Sequence, residues 1–334
     1  MAATFLTLLF ISLLQCATEA QQPPSTLPDC HTIEGKLDPV TFITTHCVNG
    51  AWPSSATGPN AIAFLPNATN VLTLIATVFP FGDPQPLTSA RLPNLSRLRL
   101  KNVRSLDASG GAADEDPFPF GWFTSGLERP RITEVVLEGV FLSSVTKEMF
   151  DGYTGLKKLA LINCGISTIH PRSLFALAPQ PGQPAVLTEF AVENDRALTV
   201  FPWDVLRPVA NINSKSQLSP NNPWLSSIGH AEASDAFFLH KLDVLTITGN
   251  DISFFPRAIL SSVSKADAAR IVFADNPNAC GDCTNYRQVP LVRWVIAAIG
   301  RSLRLTCHAA DGSQRTGDGN AAYFHRNPDC SLGS

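Results

Sequence analysis

The sequence predicts an α/β solenoid: an irregular, curved stack of repeats with a parallel β-sheet on its concave face and a disulfide-stapled cap at each end. Three observations lead to this fold class. An apolar spacing recurs along most of the chain, the N-terminal segment has the pattern of a secretory signal, and cysteines lie towards both ends. Stacked repeats bury together an apolar face that no single repeat can bury alone.

Residues 1–20 have the pattern of a secretory signal peptide. An apolar run from Phe5 to Leu14 precedes a small-residue cleavage site that ends at Ala20. The run is too short to span a bilayer as a helix. We therefore expect a secreted, extracellular protein without residues 1–20, with no membrane insertion and no lipid anchor.

Export would place the cysteines in an oxidising compartment, where thiols usually form disulfides. Cys16 leaves with the signal, so seven of the eight cysteines remain. An odd number leaves at least one cysteine unpaired or joined to another chain. In a secreted chain, Asn67 and Asn94 are expected glycosylation sites, because each begins an Asn-X-Ser/Thr sequon.

Residues 21–64 form the predicted lead-in and N-terminal cap. A solenoid exposes its core at both ends, so each end requires a cap with a polar outer side. Cys30 and Cys47 bracket the segment CHTIEGKLDPVTFITTHC. We expect one disulfide between these two cysteines.

The predicted repeats cover residues 65–275. The clearest is LKKLALINCGISTIHPRSLF, which has apolar residues at its first, fourth and sixth positions and Cys164 at its ninth. The same frame begins near Thr69, Leu95, Ile132, Leu156, Leu187, Leu242 and Ala268, which makes about seven repeats. Alternating apolar and variable residues predict a short strand in each repeat. The step from 187 to 242 is long enough to conceal one degenerate repeat.

Over about residues 65–330, these repeats resemble those of the extracellular leucine-rich repeat proteins. In that family the ninth position holds an Asn or a Cys whose side chain points into the turn after the strand and bonds neighbouring backbone. Asn250 and Asn276 hold the same position as Cys164. The resemblance implies that Cys164 is a buried, unpaired structural thiol. A redox or intermolecular role is the alternative.

Residues 276–334 resemble the cysteine-flanked C-terminal cap of the same family. An Asn-Pro pair, two close cysteines, an apolar segment with a Trp and two further cysteines follow one another. The resemblance implies pairing of Cys280 with Cys307 and of Cys283 with Cys330, whereas spacing alone leaves three connectivities open. Two residues separate Cys280 from Cys283, where the family usually has one. Redox catalysis and zinc binding are the alternative roles for this close pair.

The outward strand positions define the predicted binding surface, which is the second, fourth and sixth residue after each repeat start. One row of this surface has alternating charge and contains Arg97, Glu134, Lys158 and Glu189, with further positive charge at Arg99 and Lys101. A second row forms a mostly apolar floor of Val136, Ala160, Ala191, Thr246 and Val272. Neighbouring strands lie about 4.8 Å apart, so the charges can pair with each other without any ligand. An apolar floor with a polar rim nevertheless suits a protein partner.

The segment 107–131 is an enlarged insertion that joins acidic residues to Phe118, Phe120, Trp122 and Phe123. These aromatic side chains form either an exposed interaction patch or the cover of the returning side of the solenoid. The second interpretation is favoured, because an enlarged insertion must bury something in order to stay ordered.

The expected function is binding of an extracellular protein, such as a receptor ectodomain or a matrix component, through the concave sheet. The chain has no HExxH motif, no GxSxG motif and no glycine-rich phosphate loop, so we expect no catalysis, cofactor or metal. A net charge of −3 argues against nucleic-acid binding. The alternatives are a structural matrix protein that self-associates, with a possible homo-dimer, and recognition of a glycan or lipid. Fold alone does not decide among them.

Overall fold

The computed structural model describes residues 26–37, 40–58, 61–80, 83–106, 112–113, 116–178, 185–209, 216–220, 227–229, 244–252, 270–274, 303–308 and 314–318. Beyond residue 208 it describes backbone alone, except at residues 246–252. The predicted signal segment and Cys280, Cys283 and Cys330 therefore lie outside the described residues, and Cys307 is described by its backbone only.

A 12-stranded sheet runs through the described residues. In spatial order its strands are β1 (Asp29–Leu37), β2 (Val40–Val48), β3 (Val71–Ile75), β5 (Arg97–Lys101), β8 (Glu134–Glu138), β10 (Lys158–Ile162), β12 (Glu189–Glu193), β14 (Ser216–Pro220), β16 (Val244–Thr248), β17 (Arg270–Ala274), β18 (Leu303–His308) and β19 (Gln314–Asp318). Neighbours from β2 to β18 are parallel, and β1 and β19 pair antiparallel at the two edges.

This strand order confirms the predicted solenoid. Each parallel strand lies beside the next main strand along the chain, so the connecting segment must return along the other side of the sheet each time. A strand begins two residues after each of the seven predicted repeat starts. The apolar spacing therefore locates the strands and their register.

The step between residues 187 and 242 contains one further strand, β14, which lies between β12 and β16. Its sequence, SQLSP, has a single large apolar residue, Leu218, and therefore lacks the repeat spacing. Within residues 65–275 the described part of the main sheet has eight parallel strands, where the sequence predicted about seven repeats. The degenerate repeat that the sequence left open is present.

The returning side of the solenoid is mostly extended, so the α/β class that the sequence predicts is not seen in the described part. Its strands are β4 (Val78–Phe79), β6 (Arg104–Leu106), β7 (Ala112–Ala113), β9 (Ser144–Val145), β11 (Thr168–Ile169), β13 (Val200–Pro202) and β15 (Ser227–Gly229). One four-residue α-helix, α1 (Phe120–Phe123), and short 3-10 turns at Ser55–Thr57, Arg129–Arg131, Phe175–Leu177 and Trp203–Val209 complete the described part. β-branched residues such as Val145, Thr168 and Ile169 favour strand over helix here.

Two rows of apolar side chains form the core of the sheet. The first contains Leu72, Leu98, Val135, Leu159 and Phe190, and the second contains Leu74, Leu100, Leu137, Leu161 and Val192. Each of these side chains is at most 2% exposed. Burying one such side chain contributes about 1.5–3 kcal/mol, so these rows are a main source of the stability that holds the strands together.

The N-terminal end is closed by the β1–β2 hairpin and an aromatic cluster. Cys30 and Cys47 are directly opposite in the hairpin and form a disulfide. Behind the hairpin, the Trp52 ring stacks on Phe79 with 5.4 Å between ring centroids, and its Nε1–H donates a hydrogen bond to the Gln85 carbonyl at 2.8 Å. The disulfide and the stacked rings therefore cover the apolar core at the N-terminal end of the solenoid.

The aromatic residues of the enlarged insertion cover the returning side instead of forming an exposed patch. Phe118, Phe120 and Phe123 are at most 4% exposed, whereas Trp122 is 50% exposed. The Phe123 ring contacts the Phe79 ring edge-to-face at 5.1 Å. The covering role, which the sequence favoured, is therefore correct for the three phenylalanines.

The residues that follow seven of the main strands adopt a left-handed backbone conformation. These residues are Asn49, Ala76, Asn102, Gly139, Asn163, Asn194 and Gly249, with φ between 49° and 65°. The N–H groups of the first five donate to the carbonyl of the last residue of the next strand, at 2.7–2.9 Å. Asn and Gly tolerate positive φ better than other residues do. Each turn out of the sheet is thus hydrogen-bonded to its neighbour.

Cys164 and Asp195 occupy equivalent positions in the turns after neighbouring strands, and both are fully buried. The Cys164 thiol donates to the carbonyl of Leu137 at 3.3 Å, and burial together with the charge of Asp195 raises its pKa. Asp195 Oδ1 accepts hydrogen bonds from the backbone N–H groups of Cys164 at 2.8 Å and Ile166 at 3.0 Å. Each side chain therefore bonds the backbone of the preceding repeat, and Cys164 is a structural thiol.

Replacing Ala76 by Asn is expected to stabilise the protein by about 0.5–1 kcal/mol, because Ala76 is exposed and pays the cost of a positive φ that Asn tolerates. The opposite change, Gly139→Ala, is expected to cost about 1–3 kcal/mol, since the new Cβ would lie 2.3 Å from Asn102 Oδ1. Urea denaturation measures both free energies of unfolding. If both substitutions changed the free energy of unfolding by the same amount and in the same direction, the role of the left-handed turn would be contradicted.

Asp195→Asn is expected to remove a pH dependence of stability. Burial raises the pKa of Asp195 from 3.8 to about 6, so the folded protein favours the protonated carboxyl. The corresponding stability is present below about pH 4 and is lost as the pH rises through about 6. At pH 7.5 the amide variant should be more stable by about 2–3 kcal/mol. Unfolding free energies between pH 4 and 8 measure this difference, with exposed Glu148→Gln as the control; equal pH profiles for Asp195→Asn and the parent would contradict it.

Candidate functional site

Strand register aligns the outward side chains of β3 to β12 into three rows on the open face of the sheet. The first row is Val71, Arg97, Glu134, Lys158 and Glu189; the second is Thr73, Arg99, Val136, Ala160 and Ala191; the third is Ile75, Lys101, Glu138, Ile162 and Glu193. All the residues that the sequence proposed on β5 to β12 are therefore contiguous. Strand register alone therefore brings them together into one surface.

Thr246 and Val272 lie farther from this surface than the sequence implied. They pair with each other across β16 and β17, but Gln217 of β14 stands between Ala191 and Thr246 in the same row. The extra strand adds one strand spacing of about 4.8 Å, so two spacings separate Ala191 from Thr246. The apolar floor is thus continuous from Val136 to Ala191 and is interrupted by a polar residue before Thr246.

Glu134 is the centre of the charge network on the open face. Its side chain is only 12% exposed, and Oε1 contacts the Arg99 guanidinium at 2.7 Å while Oε2 lies 3.9 Å from Arg97 Nε. The Arg97 guanidinium also lies over the Phe42 ring, at 5.3 Å from its centroid. Two arginines therefore contact this carboxylate, and a cation–π contact with Phe42 positions one of them, Arg97.

Two further ion pairs cross neighbouring strands. Lys101 Nζ lies 2.8 Å from Glu138 Oε1, and Lys158 Nζ lies 2.8 Å from Glu189 Oε2. All four side chains are about 40–50% exposed, so each pair contributes about 0–1 kcal/mol. All four side chains occupy outward positions that the sequence assigned to the predicted binding surface, although Glu138 was not singled out there as a partner-binding residue.

A groove of about 620 Å³ lies over these strands. Val136, Ala160 and Ala191 line its centre, and seven charged side chains line its sides: Arg99, Lys101, Glu134, Glu138, Lys158, Glu189 and Glu193. Burial raises the pKa of Glu193, and the positive charge of Lys158 partly offsets that effect. The groove therefore combines a small apolar floor with paired charges and one partly desolvated carboxylate.

The two sequon asparagines are exposed and lie away from the groove. Asn67 precedes β3 and Asn94 precedes β5, so both lie at the edge where the strands begin. The segments that lead into β3 and β5 are hydrogen-bonded to each other, since Asn70 Nδ2 donates to the Asn94 carbonyl at 3.3 Å. Groups attached to these residues would leave from one edge of the sheet.

In the described part of the chain, no cluster of three or more His, Cys, Asp or Glu side chains is placed to hold a metal ion. Among the same residues, no helix is long and apolar enough to cross a membrane. Searches against protein-family models and curated proteins found no match to this chain.

Glu134→Gln is expected to cost about 1–3 kcal/mol of unfolding free energy, because it removes a nearly buried charge from two arginines. The matched change Glu138→Gln should cost less than about 1 kcal/mol, since Glu138 is 39% exposed and pairs with one lysine. Urea denaturation at low and high salt measures both. Equal losses would show that burial of Glu134 adds nothing to its ion pairs.

Proposed function

We propose that this chain is a secreted leucine-rich repeat protein that binds an extracellular protein through the groove on the open face of its sheet. The observation that carries the proposal is the juxtaposition of an apolar floor, Val136, Ala160 and Ala191, with a rim of charged side chains. Protein interfaces commonly have an apolar centre surrounded by polar residues. A receptor ectodomain or matrix component is the class of partner.

Leucine-rich repeat identity is supported by the repeat geometry. The strands follow the frame of leucine positions, and the ninth position of the frame holds buried side chains that bond the backbone of the preceding repeat, as Cys164 and Asp195 do. Secretion is supported by the predicted signal segment and by the Cys30–Cys47 disulfide, because disulfides persist mainly in oxidising compartments. Glycans at Asn67 and Asn94 would lie at one edge and leave the groove accessible.

The groove suits a protein better than a lipid. Seven charged side chains line it, and an apolar ligand would have to desolvate them without providing partners. A glycan remains an alternative ligand that the test below separates from a protein.

Covalent self-association through Cys164 is not supported, because this thiol is buried in the middle of the solenoid. A matrix-type assembly would require a different contact. Protein binding at the groove is therefore the preferred proposal, and a homo-dimer is one of its possible outcomes, with a second copy as the partner.

The Val136→Asp and Ala191→Asp double variant is expected to lose more than about tenfold in affinity for the partner, because it places two charges on the apolar floor. The measurement is binding of the tetramerised full-length protein to a library of extracellular protein domains and to a glycan array. Val186→Asp is the control, since Val186 is 44% exposed and lies outside the groove. Circular dichroism and the unfolding midpoint show whether each variant is folded.

A partner that binds the parent and the control but not the folded double variant would support the groove as the site. A partner that binds all three equally would contradict it, and binding to glycans alone would replace the protein ligand by a carbohydrate.

A further inference from the structure

Four carboxylates and three cationic side chains line the groove, so one carboxylate has no matching cation among the groove residues. Three of its carboxylates, Glu134, Glu138 and Glu189, each contact a cation of the groove at 2.7–2.8 Å. Glu193 is the fourth carboxylate in the groove, and it makes no ion pair with any described residue. The surplus negative charge is therefore located at one position, at the end of β12.

Glu193 lies beside the apolar floor. Its register partner on β10 is Ile162, and Ala191 is two residues earlier on the same face of the same strand. The side chain is half-buried, and the resulting loss of hydration raises the pKa of its carboxyl group. The positive charge of Lys158 offsets only part of this loss, so a further cation supplied from outside can stabilise the carboxylate.

We propose that the groove anchors an arginine side chain of its protein partner, with the guanidinium bound to the Glu193 carboxylate and the aliphatic stem lying over Ala160 and Ala191. This inference rests on the proposed function of the groove and specifies the chemistry of the partner. It commits to a protein segment in which an arginine is flanked by apolar residues.

Geometry and chemistry both favour arginine. Ala160 and Glu193 are diagonal neighbours on adjacent strands, about 7–8 Å apart, which an extended arginine side chain can span. Long cationic side chains commonly lay their methylene groups on apolar surface while the charged end reaches a partner. The planar guanidinium donates two parallel hydrogen bonds to one carboxylate, whereas lysine offers a single charged point.

The small size of the floor residues also leaves space for an arginine side chain. Ala160 and Ala191 leave room above the sheet that larger side chains would fill, and the groove of about 620 Å³ exceeds the volume of a single side chain. Residues next to the arginine would cover the rest of the floor, beside Val136. Lys158 does not compete for the arginine site, because its ammonium group is held by Glu189 at 2.8 Å.

The test begins with a random peptide library displayed on phage and selected on the immobilised full-length protein. Peptides are retained when they bind the parent but not the Val136→Asp and Ala191→Asp double variant. We expect these peptides to share an arginine next to apolar residues. A synthetic version of one peptide is then prepared with arginine and with citrulline, which has nearly the same shape and no charge.

Affinities of the two peptides are measured against the parent, Glu193→Gln and the matched control Glu34→Gln, whose carboxylate is exposed on β1 outside the groove. Citrulline and Glu193→Gln should each weaken binding by about 10–100-fold. Together they should weaken it by little more than either alone, because both remove the same contact. Glu34→Gln should leave the affinity unchanged.

Groove-dependent peptides without a shared arginine, or losses from citrulline and Glu193→Gln that simply multiply, would overturn the arginine anchor and leave the groove as a binding site. Peptides that all bind the double variant as well as the parent, or a selection that returns none, would contradict both the anchor and the proposed function.

Discussion

The structure depends on the left-handed turns that follow seven of its main strands, from β2 to β16. A single residue with positive φ directs the chain out of the sheet, and its N–H bonds the carbonyl at the end of the next strand, as in the 2.7 Å bond from Asn102 to Glu138. Since the same bond recurs between successive repeats from β2 to β12, it fixes how far one strand can slide past another. Register in a sheet otherwise depends on which side chains face the core, and a slip of one residue would turn every leucine outwards.

Fixed register is also what creates the groove. Charges on separate repeats, 24 to 37 residues apart in the chain, face each other because their strands are aligned end to end. The network then differs in strength from place to place for a physical reason: Glu134 is nearly buried between two arginines, while the pairs made by Lys101 and Lys158 are open to water. The side of the groove near β5 is therefore held more firmly than the side near β12, where Glu193 makes no ion pair with a described residue.

Much of the sheet could be predicted from the sequence, because leucine spacing and strand alternation obey the same two-residue period. The row formed by Arg97, Glu134, Lys158 and Glu189 followed from that period alone. β14 could not be found in this way, since SQLSP lacks the second inward apolar residue. The extended returning side was also missed, because its strand pairs are two or three residues long and leave no periodic pattern.

The importance of Glu193 could not be predicted from the sequence either. Its position on the outward face was visible, but which carboxylates are paired depends on side-chain reach across strands: Glu134 takes a diagonal partner, Arg99, as well as its neighbour in the row. The sequence also carries a signal for the turns that follow the strands. Asn or Gly follows most of the main strands, and that recurrence marks the left-handed turns as clearly as leucine marks the core.

Because the Cys164 thiol is buried, its chemical reactivity reports transient opening of the fold. The sulfur sits in the turn after β10, hydrogen-bonded to the previous repeat and without solvent exposure. An alkylating reagent can reach it only when that turn opens, and the raised pKa further slows reaction in the closed state. The rate at which the peptide containing Cys164 gains mass would thus measure how often the middle of the solenoid opens, without any introduced label.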